Sequence, residues 1–314
     1  LHRDERPDVR YGLTAMCVGL GQGGSVIWGA GAAISWGFAD FIARFAGRSV
    51  GVAASILAVS VIGMGALLLF MWLRGDTMLW YNPDAVSVLG LGLLIGAGVT
   101  TALATILLYE ALTKGPVSLA SPVVSSYPAL AVPITVALGA SPRWWHWVAM
   151  LVTLAGIWLV AMVVSSGGSW RSQYDSAVIR RTILLSLGGA LCFAVTLVSA
   201  GEAIEIYGPW QTMIAVRMVG AILFILWFMM RREAPRFYPR LWPILIALSL
   251  LDTMGYLGVY LGLGYVNGEF AIVASSAYSV VAVILARIFL REPVNLAQWG
   301  GVALVVGGIA LLST

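Results

Sequence analysis

Apolar residues gather in long, nearly continuous runs along this chain rather than in alternating or narrow helical stripes. Ten such runs, broken at charges, Pro and Gly, cover residues 26–45, 51–73, 87–109, 117–138, 145–164, 182–203, 209–230, 242–264, 270–289 and 295–312. Each approaches the roughly 20 residues an α-helix needs to cross a hydrocarbon core. A barrel does not fit, because its strands read as about ten residues of alternating polarity. Short connections predict a compact bundle in which neighbouring helices run antiparallel. Residues 1–25 precede the first run and read as an N-terminal extension. They open with three arginines among Asp4, Glu5 and Asp8, and these acids, with no small-residue cleavage site, argue against a signal peptide.

Composition narrows the class further. The chain has 314 residues, 60% hydrophobic and 10% charged, with a mean hydropathy of +0.93. A water-facing surface needs about 25% charged residues, so a soluble enzyme, a secreted disulfide scaffold and a disordered regulator are excluded. The fold class is all-α integral membrane. Cys17 and Cys192 form no framework, and with His2 and His146 they are too few for a metal cluster, so neither metal nor cofactor is expected. The net charge of +4 comes from Lys and Arg scattered between apolar runs, which argues against nucleic acid as a partner. The sequence Gly19-Leu20-Gly21-Gln22-Gly23-Gly24 matches G-x-G-x-x-G, but no strand precedes it and no βαβ unit surrounds it. Small-residue runs such as Gly300-Gly301 and Gly307-Gly308 suit close helix contact, either within the chain or across a homodimer.

The two halves resemble each other. Gly65-Ala66-Leu67-Leu68 matches Gly220-Ala221-Ile222-Leu223, Trp72 matches Trp227, Gly115 matches Gly268, Ser126 matches Ser279, and Gly156-Ile157 matches Gly308-Ile309. The order is kept and the separation drifts slowly. Each half holds five spans, an odd number, so the second copy must lie inverted relative to the first. The expected fold is therefore ten transmembrane helices in two inverted five-helix repeats, 26–164 and 182–312. Inverted repeats are common in secondary transporters, whose substrate sites lie near the bilayer midplane between the copies. With the N-terminus outside, twelve Lys and Arg fall on the inner side, against five outside (Arg3, Arg6, Arg10, Arg74 and Arg143), so the positive-inside rule favours both termini outside.

Arg217 and Asp252 fall near the middle of the seventh and eighth spans. A charge there costs at least ~2.5–3.5 kcal/mol on insertion scales, so each should face protein or a wet cavity. A pair that only neutralises itself and a pair that handles substrate or a coupling ion both fit this pattern. Tyr256 and Tyr260 follow Asp252 at i+4 and i+8 and share its face. Thr101, Thr105 and Tyr109 share a face of the third span, and Ser118, Ser121 and Ser125 a face of the fourth, where Pro122 and Pro128 interrupt the helix. Ser275, Tyr278 and Ser279 stand at the matching depth of the ninth. Serines often bond only to a neighbouring turn; their presence in the fourth helix of both copies favours a cavity. The candidate cavity residues are Thr101, Thr105, Ser121, Ser125, Tyr127, Asp252, Tyr256, Tyr260, Ser275 and Tyr278, with Arg217 and Asp252 as charge pair or ion-coupling site. Asp40 and Arg44, at i and i+4 near the end of the first run, read as an interfacial pair. Glu110, Glu202 and Glu205 lie near span ends and read as solvated, while Trp144, Trp145 and Trp147 read as an interfacial belt.

At several of these residues the chain resembles the ten-helix, EamA-type branch of the drug/metabolite transporter superfamily. The resemblance rests on Ser35-Trp36-Gly37-Phe38, Leu108-Tyr109-Glu110-Ala111-Leu112, Gly115 through Pro122 and Tyr127-Pro128-Ala129-Leu130. In the second half it rests on Ala215-Val216-Arg217-Met218, Arg291-Glu292-Pro293 and Gln298-Trp299-Gly300-Gly301. It implies a central cavity lined by helices one, three, four, six, eight and nine, with five and ten at the periphery. It also implies alternating-access transport of small polar metabolites, amino acids or drugs, often as export across the bacterial inner membrane. The partners are then a small-molecule substrate and the lipid bilayer, and the protein is a transporter rather than an enzyme. A passive channel and a non-transporting membrane sensor or enzyme are the alternatives. The sequence departs from the family pattern at Gly139-Ala140-Ser141-Pro142, which lacks the acid that Glu292 supplies in the second half, and at Ile62, which stands opposite Arg217. The family habit of cytoplasmic termini also runs against the charge count.

Overall fold

A computed structural model describes residues 23–73, 87–139, 142–166, 175–232, 234–235, 237–290 and 296–312. The N-terminal extension as far as residue 22 and the loop Arg291-Glu292-Pro293 lie outside them. Among the described residues every regular element is helical. In chain order these are α1 (Gly23–Val50), α2 (Val52–Leu73), α3 (Val88–Lys114), α4 (Val117–Val124), α5 (Pro128–Ala137), α6 (Trp144–Ser166), α7 (Ser176–Tyr207), α8 (Pro209–Arg231), α9 (Trp242–Leu263), α10 (Glu269–Ser275), α11 (Tyr278–Phe289) and α12 (Leu296–Leu312). Helices α4 and α5 together make the fourth span, and α10 and α11 the ninth. Among the described residues eight spans are long and apolar enough to cross a bilayer, and two shorter apolar helices, Trp144–Leu159 and Trp299–Leu311, complete the ten.

Local chemistry sets the helix ends. Ser87 caps α3, its hydroxyl accepting the Gly90 amide at 2.9 Å, as N-cap serines do. Gly208 takes φ +82° between α7 and α8, and Pro209 then opens α8 at its first position, where the missing amide costs nothing. Helices α1 and α7 outrun their apolar stretches, reaching Val50 and beginning at Ser176. The charges at Arg44, Arg48, Arg180 and Arg181 end the hydrophobic run but not the helix: Arg48, Arg180 and Arg181 carry it into the interface with exposed heads, while Arg44 is buried and donates to Gly115 O.

The fourth and ninth spans are broken at mid-depth. In the fourth, Pro122 and Pro128 remove backbone donors, and the chain turns through Ser125–Tyr127. In the ninth no proline intervenes, and the backbone tightens instead, with Ser276 and Ala277 amides bonding to Val273 and Ala274 carbonyls three residues back. Carbonyls near each break are met by serine hydroxyls: Ser125 donates to Pro122 O at 2.9 Å, Ser126 to Val123 O at 2.7 Å, Ser275 to Ile272 O at 2.9 Å and Ser276 to Val273 O at 2.6 Å. Such groups must find protein partners where no water is available.

Packing follows the symmetry of the two repeats. Helix α1 lies along α9, and its counterpart α7 lies along α3; α2 packs on α9 as α8 packs on α3. The fifth and tenth spans, α6 and α12, pack on each other at the periphery. A Cβ on Gly156 would come within 2.6 Å of the Gly301 carbonyl, and one on Gly308 within 2.9 Å of Ala149 O. Gly301 and Gly308 therefore serve contact within the chain.

Candidate functional site

The first, third, sixth, eighth and ninth spans meet around a cavity at mid-depth, with Tyr127 of the fourth closing the ring. Its walls include Trp36 and Asp40 of α1, Thr105 and Tyr109 of α3, Phe193 of α7, Asp252 and Tyr256 of α9, and Tyr278 at the start of α11. It is narrow, with room for about one water.

Two glycines make the approach of these walls possible. A Cβ on Gly255 would meet the Trp36 indole at 2.4 Å, so α9 must present glycine where the indole lies. A Cβ on Gly37 would stand 2.9 Å from Tyr278 O, which lets α1 run against the broken ninth span. The resulting aromatic cluster is set edge to face: Trp36 lies 5.0 Å from Tyr256 and 6.0 Å from Tyr278 between centroids, both at 81°.

The charges are arranged beside it. Arg217 of α8 donates to Asp252 at 2.5 Å and to the Thr253 hydroxyl at 3.4 Å. Its guanidinium also sits 5.1 Å from the Tyr256 ring centroid, within cation–π range. Gly63 of α2 leaves room for this arrangement, since a Cβ there would lie 2.3 Å from Thr253 Oγ1 and 3.7 Å from Arg217 Cζ. Asp40 is buried on the cavity wall, and Ser121 donates to it at 2.6 Å.

Matching the family model of the EamA-like transporter family covers residues 24–162 and again 180–314. The chain belongs to the EamA-like transporter family. A curated relative, the uncharacterized transporter YwfM of Bacillus subtilis (strain 168), is 25% identical over 204 residues, which are 59% of this chain. The match spans 64% of that relative's length. A crystal structure described only as that of a protein superposes with a TM-score of 0.67 at 19% identity, covering 92% of this chain and 96% of that one. At that identity the likeness concerns the fold alone. The chain is a multi-pass membrane protein, and its family is of transporter rather than enzyme type.

The residues singled out from the sequence divide into three groups. Thr105, Tyr127, Asp252, Tyr256 and Tyr278 line the cavity, and Arg217 stands behind Asp252. Ser121 and Ser275 touch it through a wall residue, Ser121 by its bond to Asp40 and Ser275 by a 2.6 Å bond to the Tyr127 hydroxyl. Thr101, Ser125 and Tyr260 do not line it. Thr101 turns to Thr196 of α7 at 3.4 Å, Ser125 serves the helix break, and Tyr260 packs edge-on against Tyr256.

One expectation is overturned. Asp40 forms no ion pair with Arg44 and is not interfacial: it lies ten residues before the end of α1, on the cavity wall, while Arg44 donates to Gly115 O at 3.2 Å. The physical reason is the length of α1, which carries the helix to Val50 and Asp40 well inside it. Trp36, Phe193 and Tyr109 are further wall residues, with Ala39, Leu108 and Leu197 between them. Tyr109 shares a face with Thr105 in the sequence. Trp36, one turn before Asp40, was the available signal for the α1 wall, whereas Phe193 stands among apolar neighbours that distinguish nothing. Of the solvated acids, Glu202 and Glu205 are exposed, and Glu110 pairs with Lys114, with Arg181 at 3.9 Å.

Proposed function

We propose that this chain is a secondary transporter that exports small polar metabolites, amino acids or drugs across a bacterial inner membrane by alternating access. The observation that carries the reading is the narrow cavity at mid-depth, walled by both halves of an inverted-repeat bundle. A conducting pore needs a continuous water path, whereas a carrier passes through a state sealed on both sides. Rocking one repeat against the other would open the same walls first to one face and then to the other. The Arg217–Asp252 pair anchors the site electrostatically, the tyrosines and Thr105 shape it, and the carboxylates Asp252 and Asp40 are its groups for ion coupling.

The test is counterflow. Proteoliposomes preloaded with an unlabelled solute and diluted into the same solute at tracer level accumulate label transiently if a carrier exchanges it. A screen of amino acids, amines and nucleosides in this format is expected to find accumulation for at least one. Equilibration without overshoot for every solute that enters would identify a passive channel.

A further inference from the structure

The cavity holds more negative than positive charge. Asp252 has Arg217 as its counterion at 2.5 Å, but among the described residues no cationic group comes within ion-pair distance of Asp40. The groups that face Asp40 are Ser121 from α4, Asp252 from α9, Tyr109 from α3 and Tyr278 from α11. On its own helix Arg44 is one turn away with its guanidinium on Gly115 O. A carboxylate 4% exposed, with one hydroxyl donor and another carboxylate nearby, must carry a proton or hold a cation.

Around it stand groups suited to a cation. The hydroxyls of Tyr109 and Tyr278, 2% and 3% exposed, line the same cavity and hydrogen-bond to nothing among the described residues. Their oxygens are acceptors for N–H donors. The Trp36 indole stands at about a right angle to two tyrosine rings of the same cavity, and Tyr256 already takes a guanidinium at 5.1 Å. Aromatic rings lining one cavity with a carboxylate favour an organic ammonium. An anionic substrate would find the one buried guanidinium of the site already committed to Asp252.

We infer that the substrate of this cavity is an organic ammonium ion, exchanged against a proton carried by Asp40. This rests on the carrier reading above and narrows it. The exchange balances simply: as the ammonium enters, the Asp40 carboxyl gives its proton to the solution on that side and the carboxylate becomes the counterion. When the ammonium leaves on the other side, a proton from that solution returns to Asp40. One cation moves against one proton, with no net charge crossing. Asp252 keeps Arg217 throughout.

The test needs no transport. The purified full-length chain in detergent, in weakly buffered solution with a pH indicator, is titrated with tetramethylammonium or phenethylammonium chloride. Parallel titrations use 2-phenylethanol, phenylacetate and phenylalanine. Saturable binding of both ammonium ions is expected, with release of about one proton per cation bound. The alcohol and phenylacetate should release none. Asp40→Asn should abolish the release and weaken binding about tenfold or more, and Asp40→Glu should restore the release. Trp36→Leu should weaken binding about tenfold while leaving the proton count unchanged. Ser121→Ala, which removes the hydroxyl from Asp40, should move the pH at which release is half-maximal, so the assignment stays testable if Asp40→Asn does not fold. No ammonium binding by the wild-type chain, binding without proton release, equal release from Asp40→Asn, an unmoved profile in Ser121→Ala, or preference for phenylacetate or phenylalanine would each overturn the inference. Counterflow of other solutes without ammonium-linked release would leave the carrier and remove this site. Release without counterflow of any solute would do the reverse.

Discussion

The Arg217–Asp252 pair allows its contribution to be worked from the geometry. Replacing Arg217 by Met removes the 2.5 Å contact to Asp252, the 3.4 Å bond to Thr253 and the stacking on Tyr256 at 5.1 Å. Removing one partner of a buried pair costs about 3–5 kcal/mol, because the other charge is left uncompensated, and the lost cation–π contact adds about 1 kcal/mol. Asp252→Asn leaves an oxygen for the guanidinium but no charge, so its cost should lie near the lower end, about 3 kcal/mol. The double variant strands no charge and should cost about 3 kcal/mol less than the sum of the singles. Equilibrium unfolding in mixed micelles of rising sodium dodecyl sulfate fraction, followed by far-ultraviolet circular dichroism, gives all four stabilities. Additivity of the two single variants to within about 0.5 kcal/mol would show that the charges do not stabilise each other and would refute the reasoning.

Other consequences are equally open to measurement. Gly255→Ala places a methyl 2.4 Å from the Trp36 indole, so the Trp36 contribution to fluorescence, taken as the difference from Trp36→Phe in each background, should shift in wavelength; an unshifted difference spectrum would contradict the packing. Tyr127→Phe deletes the 2.6 Å contact to Ser275 and the 3.3 Å bond to Ile272 O but leaves Ser275 bonded to Ile272 O, and should destabilise by about 1–2 kcal/mol; a loss of several would mean that Tyr127 carries more than these bonds. The excess of twelve inner over five outer Lys and Arg predicts an active alkaline phosphatase and a dark green fluorescent protein when each is fused to the C-terminus, and the opposite pair of signals would reverse the assigned orientation.

Helix number and the inverted arrangement were legible in the sequence because hydropathy is a one-dimensional signal read over about 20 residues. The break in the fourth span was legible for a different reason, since Pro122 and Pro128 announce it locally. The matching break in the ninth carries no proline and showed only as serines at the same depth. The cavity was read in part. Asp252 stands in the middle of an apolar run and is conspicuous by its cost, as is Arg217. Asp40 was misplaced because Arg44 and Arg48 ended the apolar run while the helix went on to Val50; a depth estimated from hydropathy stops where snorkelling begins. Thr101 and Ser125 illustrate the opposite error. Their faces were inferred from a helical wheel, yet one hydroxyl turned to a neighbouring helix and the other to its own turn, choices that depend on contacts absent from any single-helix pattern.

The scaffold and its charges obey different symmetries. Packing pairs each helix with the counterpart of its own partner, α1 on α9 and α7 on α3. The charges are not duplicated. At the separation of 155 residues that relates Gly65 to Gly220, Asp40 corresponds to Val195 and Arg217 to Ile62, while Asp252 corresponds to the apolar stretch Ala97–Val99. A symmetric set would crowd four carboxylates and two guanidinium groups into a space with room for about one water. That would give two competing sites at prohibitive desolvation cost. A single set gives one site, shared by whichever two states the scaffold adopts. In the proposed carrier the division of labour follows directly: duplicated packing makes the two orientations of the bundle similar in energy, and the unduplicated acids and arginine fix the stoichiometry at one substrate per cycle.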